Sequence, residues 1–512
     1  MGTYATQSGD FDYAFSFTNS TGEHSWAVSL TFDSTNETQW SAPSVLQNIS
    51  GASGISSSIS YKNGTLILGD PQNEQVEIYE SFVDNLGFFT SGFRQVNRSI
   101  PFGVDGTSGF GASVLALPDA ALVGAPFTSP SSAGSGAGAI FLFSEITPGG
   151  NGATGNTSWG QAGFVTGQST SGCFGSSFAV RYNNSNPIVG IGATGEASGS
   201  GQSHIYNGTT LEAIQTLTPT GNNVSGFGKS QGFSIVNNLA YLAIGLNDGG
   251  TGKVNIYKES SAGSNSYAFY QQLSGQSPAA GDNYGADIYG LNQALMVGSP
   301  NEAGGGKAYY YEFNNDSGIF GESQAFVAAS VGAGDRFGKS LKFTTGYAVI
   351  GSDNKSGSAY IYKRQNSQWV EESQISGSLS TISGSFAGGT EGADSIVIDN
   401  QRIIIGTEGE KDTYVFTTGI VDRDDYTGIS FSGENNKIYD SEGNFLYGVG
   451  PDSSFTVSGG VFTGGYFSMF INGNLCRARS PRAAGVGRTG ALNDWSVTNM
   501  SGMSYYYLSI LN

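Results

Sequence analysis

The chain has 512 residues, of which 79 are Gly, 12% aromatic and only 12% charged, with a formal net charge of −19. The aromatics exclude a disordered Gly-rich chain, which would lack material for a core, and the length calls for several domains or a repeat array. The acidic balance excludes a nucleic-acid partner, because phosphate contacts need clustered Lys and Arg, and no apolar run is long enough to span a membrane.

The first residues carry neither a basic nor an apolar leader pattern, and Asp10 and Asp12 follow at once. Two alternating stretches, Phe11–Phe17 and Trp26–Phe32, predict an N-terminal β segment over 1–35 that is free to join a C-terminal domain. A further strand is predicted at Trp40–Leu46.

A repeat then begins. Its first unit holds Leu66-Ile67-Leu68-Gly69-Asp70-Pro71, followed by Val76-Glu77-Ile78-Tyr79. Later units open on an aromatic residue followed by a small one, at Phe110-Gly111, Phe174-Gly175, Phe227-Gly228, Tyr284-Gly285, Phe337-Gly338 and Phe386-Ala387, spaced by 49 to 64 residues. Each pair precedes a short strand, a tight turn and an apolar strand ending in Gly, such as Ala121-Leu122-Val123-Gly124-Ala125-Pro126. A third strand such as Ala139–Phe143 and a more polar fourth, such as Gln368–Ser373, complete the unit. Four short strands per repeat of this length predict a propeller blade. The last unit ends at Tyr414–Phe416 without a fourth strand. Trp40–Leu46 is expected to supply it and close a seven-bladed ring over 36–419.

The pairing of Phe110-Gly111 with Gly124-Ala125-Pro126 resembles the FG-GAP repeat of integrin α-subunit propellers, over about three-quarters of the chain. The resemblance implies a β-propeller used for adhesion, with aspartate-rich calcium loops between the first two strands. Here those turns are plain, as at Leu117-Pro118-Asp119-Ala120 and Val236-Asn237-Asn238-Leu239, so neither calcium nor another metal or cofactor is expected.

Residues 420–512 contain Phe467–Ile471 and Tyr505–Ile510 as strand candidates and are read as a small C-terminal β-sandwich. Arg477, Arg479, Arg482 and Arg488, with Tyr505 and Tyr507, are its candidate assembly interface, since Arg and Tyr favour interfaces. The fold class expected is therefore all-β, a seven-bladed propeller with a terminal β-domain.

Catalysis has little material. Only His24 and His204 are available for imidazole chemistry, and Gly304-Gly305-Gly306-Lys307 lacks the Ser/Thr and helix of a phosphate loop. The loops between second and third strands, richest in amides and carboxylates, are the candidate ligand face: Asp70, Asn73, Glu196, Asn247, Asp248, Asn301, Glu302, Asp353, Asn354 and Glu408. The reading is a non-enzymatic recognition or structural protein on a virus or phage particle, of receptor-binding, fibre or spike type. Its expected partners are a protein or glycan receptor on a cell surface and other structural proteins of the particle, a homo-oligomer being left open. An extracellular adhesion or lectin-like propeller and an extracellular glycan hydrolase are the alternatives.

Overall fold

The computed structural model describes, with side chains, residues 58–79, 107–144, 159–375, 395–398 and 403–406, apart from gaps at 63–64, 131–132, 184–185, 222, 329 and 353–357; outside these it describes the backbone of further strands. The chain is all-β, its sheets arranged as a β-propeller. It divides into two compact units: Pro43–Phe82 with Gly92–Thr417, and Met1–Ala42 with Val83–Ser91 and Thr418–Asn512.

In the first unit, six antiparallel sheets succeed one another in chain order between Ser58 and Ser376. The second is representative: Ser113–Leu117, Ala120–Ala125, Ala139–Ile146 and Ser158–Thr166 pair in that order. Its first two strands are buried almost throughout, because each face meets a neighbouring sheet. Outer strands such as Ile319–Phe326 mix buried and exposed positions, as expected where one face meets water.

One further sheet joins Arg402–Glu408 to Asp412–Thr417 and then to Ser44–Ser50, with Ile396–Ile398 and Ser385–Phe386 both paired to Arg402–Glu408. Ser44 faces Thr417 and Ser50 faces Asp412. The strand expected at Trp40–Leu46 therefore runs Ser44–Ser50, and residues 40–43 lie outside the described residues. Ile59, Leu66, Leu68 and Tyr79 of the first sheet pack with Val397 and Ile404 of this last one.

The repeated residues build the joint between consecutive sheets. Phe110 is fully buried, its ring edge-on to Phe141 at 5.4 Å, in a cluster that includes Ile67, Val76 and Ile78 of the preceding sheet. Gly111 sits at φ +92°, which favours Gly, and its carbonyl turns back onto that sheet. There it accepts a 2.7 Å hydrogen bond from Ser58 Oγ. Ser113, Ser177 and Ser230 donate in the same way to Gly175, Gly228 and Gly285. The second-strand glycine completes the fit: a Cβ on Gly124 would lie 2.1 Å from the Gly175 oxygen.

A second set of links ties the outer strands. Gln215, Gln271 and Gln324 each use the side-chain amide to donate to one backbone carbonyl and accept from one N–H on the next sheet, at Tyr267, Phe320 and Trp369. Replacing Gln324 by Ala removes two hydrogen bonds of 2.8 Å. It should lower stability by about 1–2 kcal/mol in chemical denaturation. An unchanged midpoint would show that the clamp contributes nothing.

The second unit holds an eight-stranded sheet in the order Ile429–Ser432, Ser25–Phe32, Phe11–Thr18, Ser504–Ile510, Trp495–Asn499, Asn474–Arg479, Tyr466–Ile471 and Val457–Thr463. The N-terminal stretches are thus interior strands of the C-terminal sheet. Asn436–Tyr439 and Phe445–Val449 pair separately as a two-stranded sheet.

Candidate functional site

The loops between second and third strands hold most of the expected ligand residues, and there the polar groups are engaged with their own surroundings. Asp70 is fully buried; its carboxylate accepts from the Asn73 backbone and side-chain amides and from Gln75 Nε2 at 3.0 Å. It caps the turn it sits in. Asn247 Oδ1 accepts from the buried Lys229 ammonium at 3.0 Å, and Asp248 pairs with Lys253. Asn301 donates to the Gly281 carbonyl at 2.8 Å. Glu302 takes hydrogen bonds from Lys307 at 2.9 Å and the Tyr309 hydroxyl at 2.5 Å. Glu196 meets His204 Nε2 at 2.6 Å. Asp353, Asn354, Arg482 and Arg488 lie outside the described residues, as does the Glu408 side chain at the end of its strand.

The tyrosines that pack among these groups are held neutral by burial. Tyr309 is pushed well above the ordinary range by burial, with the Glu302 hydrogen bond adding to it. Among the described residues, no group of three or more His, Cys, Asp or Glu is placed to hold a metal ion.

A different feature was not visible in the sequence. In the first unit, the innermost strands enclose a central channel of about 530 Å³, lined by residues from each of its seven sheets, from Ile59 of the first to Ile398 of the last. Its volume falls in the range of small-molecule sites, about 300–1,000 Å³. Its lining, among the described residues, includes Lys62, Arg181 and Lys342 but no Asp or Glu. In a chain with 41 acidic and 22 basic residues, that is a local reversal of charge. No family model matches the chain, and no curated protein is similar to it in sequence.

Five aromatic rings also line the channel: Tyr61, Phe178, Tyr182, Phe233 and Tyr289. The Lys62 ammonium lies 4.8 Å from the centre of the Tyr182 ring, and that of Lys342 lies 4.1 Å from the Tyr289 ring. Ring faces attract cations, so these contacts hold two ammonium groups over aromatic surface. The Tyr182 hydroxyl is buried and has no hydrogen-bond partner among the described residues. Burial pushes it up to about 12, so it stays a neutral donor and acceptor at physiological pH. The Arg181 guanidinium is taken by Glu259 at 2.5 Å, the Tyr267 hydroxyl at 2.7 Å and Asn265 at 2.6 Å.

A second concavity of about 520 Å³ lies between the first-to-second-strand turns of the fifth and sixth sheets. Its one guanidinium, Arg364, is bonded to Glu312 and the Tyr310 hydroxyl, each at 2.5 Å, and stacks over the Tyr310 and Trp369 rings. These bonds occupy the groups that would otherwise meet a ligand.

In the second unit, the expected assembly residues share a register. Arg477 pairs with Thr498, and Thr498 with Tyr505; Arg479 and Tyr507 stand two residues further along their strands. Directly opposed residues and those two apart share a sheet face. Arg477, Arg479, Tyr505 and Tyr507 therefore occupy one face of the eight-stranded sheet.

Proposed function

We propose that this chain is a non-enzymatic recognition and structural protein exposed on a virus or phage particle, with the propeller making contact and the terminal β-domain attaching it. The observation that carries the reading is the contrast between two sets of groups. Among the described loop carboxylates, Asp70, Glu302 and Glu196 are each held by a neighbouring amide, lysine or histidine, whereas the channel offers rings and cations suited to holding a partner. The propeller is read as seven-bladed and of FG-GAP type, the last sheet being the seventh blade with Ser44–Ser50 as its outer strand. The aromatic-Gly joint supports that reading, because it gives each element of the motif a mechanical role. The terminal domain is read as a sandwich built on the eight-stranded sheet. Its Arg- and Tyr-bearing face would meet other proteins of the particle.

The test is a truncated chain spanning 43–417, which keeps Ser44–Ser50 and removes both ends of the chain. It should fold, bind cells that the intact protein binds, and fail to join the particle. A truncated chain that still joins the particle would overturn the attachment role. Turnover of a glycan by the intact protein would overturn the non-enzymatic reading.

A further inference from the structure

The channel's chemistry narrows the partner. Among the described residues its lining gathers cations and no carboxylates, against the sign of the chain as a whole, which selects an anionic group. The cations lie over tyrosine rings, whose faces also suit the C–H faces of a pyranose. The Tyr182 hydroxyl, buried and without a partner among the described residues, would be satisfied by a ligand hydroxyl that reached it. Asn292 adds an amide along the same lining, whereas the Gln231 amide is held by Ser203 and Ser177. Cation, ring and neutral hydrogen-bonding groups within about 530 Å³ match one or two sugar rings better than a bare ion, which would leave the aromatic walls unused.

We propose that the central channel is a binding site for a carboxylated sugar, Lys62 and Lys342 meeting its carboxylate and Tyr182 and Tyr289 framing its ring. The assignment rests on the recognition reading above and names its ligand class. Arg181 is not counted among the binding cations, because Glu259 neutralises it.

Ligand-observed NMR and calorimetry on the full chain would test this, with a glucuronate-terminated and a sialic-acid-terminated oligosaccharide, their neutral counterparts, and inorganic phosphate. At least one acidic sugar should bind, and its neutral counterpart should bind at least tenfold more weakly. Lys62→Ala and Lys342→Ala should each weaken binding by about tenfold, the size of one charge-assisted hydrogen bond. Tyr182→Phe should weaken it several-fold while the melting temperature stays near that of the parent. Equal binding of neutral and acidic sugars, phosphate competing as well as the sugar, or lysine variants that bind like the parent would each overturn the inference. So would the absence of binding by either acidic sugar. If the protein then still attached to host cells, with Lys62→Ala unaffected, the recognition reading would survive and only the channel would be lost. A protein that attached to no cell surface would remove both.

Discussion

Gly124→Ala is expected to lower stability by about 2–4 kcal/mol, although it adds one methyl group to a strand end. The added Cβ would stand 2.1 Å from the Gly175 carbonyl oxygen and 2.2 Å from Ser113 Oγ. The serine could rotate, but only by giving up its 2.7 Å bond to that same carbonyl. The carbonyl belongs to backbone at φ +91°, which has few alternatives. Relief therefore requires two sheets to separate, and the rings of Phe174 and its neighbours would lose contact with them. Gly69, Gly192 and Gly298 face the same oxygen on the next sheet at 1.9 to 2.1 Å, so each should respond alike. Gly321→Ala is the control, because a Cβ there meets no atom within 4 Å. Denaturation midpoints that fell equally for Gly124→Ala and Gly321→Ala would show that strand propensity, and not the joint, sets the cost.

That joint explains why much of the propeller could be read from the chain. An aromatic followed by Gly, and a strand ending in Gly, recur because, among the described residues, the first six sheets meet one another in succession through the same contact, and repetition makes a weak local signal readable. Ser58, Ser113, Ser177 and Ser230 belong to the contact as much as the glycines do, yet in a Ser-rich chain they carry no signal. The glutamine clamps were hidden for another reason: their partners lie 45 to 52 residues away, and Gln on an exposed strand is unremarkable. The loop carboxylates looked like ligand groups because a turn-capping Asp and a ligand-facing Asp have the same sequence context. Only the partners of Asp70 and Glu302 distinguish the two roles. The channel could not be read at all, since Lys62, Tyr182, Tyr289 and Lys342 each stand on a different sheet and converge only when the ring forms.

The channel's third cation should behave unlike the other two. Arg181→Met is expected to destabilise the fold by about 3–5 kcal/mol, because it strands a partner charge in the interior. Glu259 has no solvent exposure and gives one carboxylate oxygen to Arg181 at 2.5 Å and to the Asn265 N–H at 2.9 Å. Its other oxygen accepts from the Ala240 N–H at 3.1 Å, so the carboxylate also anchors the start of the second strand of its own sheet. Without the guanidinium, two backbone N–H groups remain to balance a buried negative charge. Adding Glu259→Gln to Arg181→Met removes that charge while keeping an oxygen for Ala240, and should recover more than half of the loss. The comparison separates charge from packing, since Met fills most of the volume of the arginine stem in both variants. Equal stability of the single and double variants in chemical denaturation would mean that packing, not the stranded carboxylate, is what Arg181 provides. Lys62→Ala has no such burden, for its ammonium rests on a ring and not on a buried carboxylate. Of the two substitutions, the one at Arg181 should therefore act on the fold and the one at Lys62 on what the channel holds.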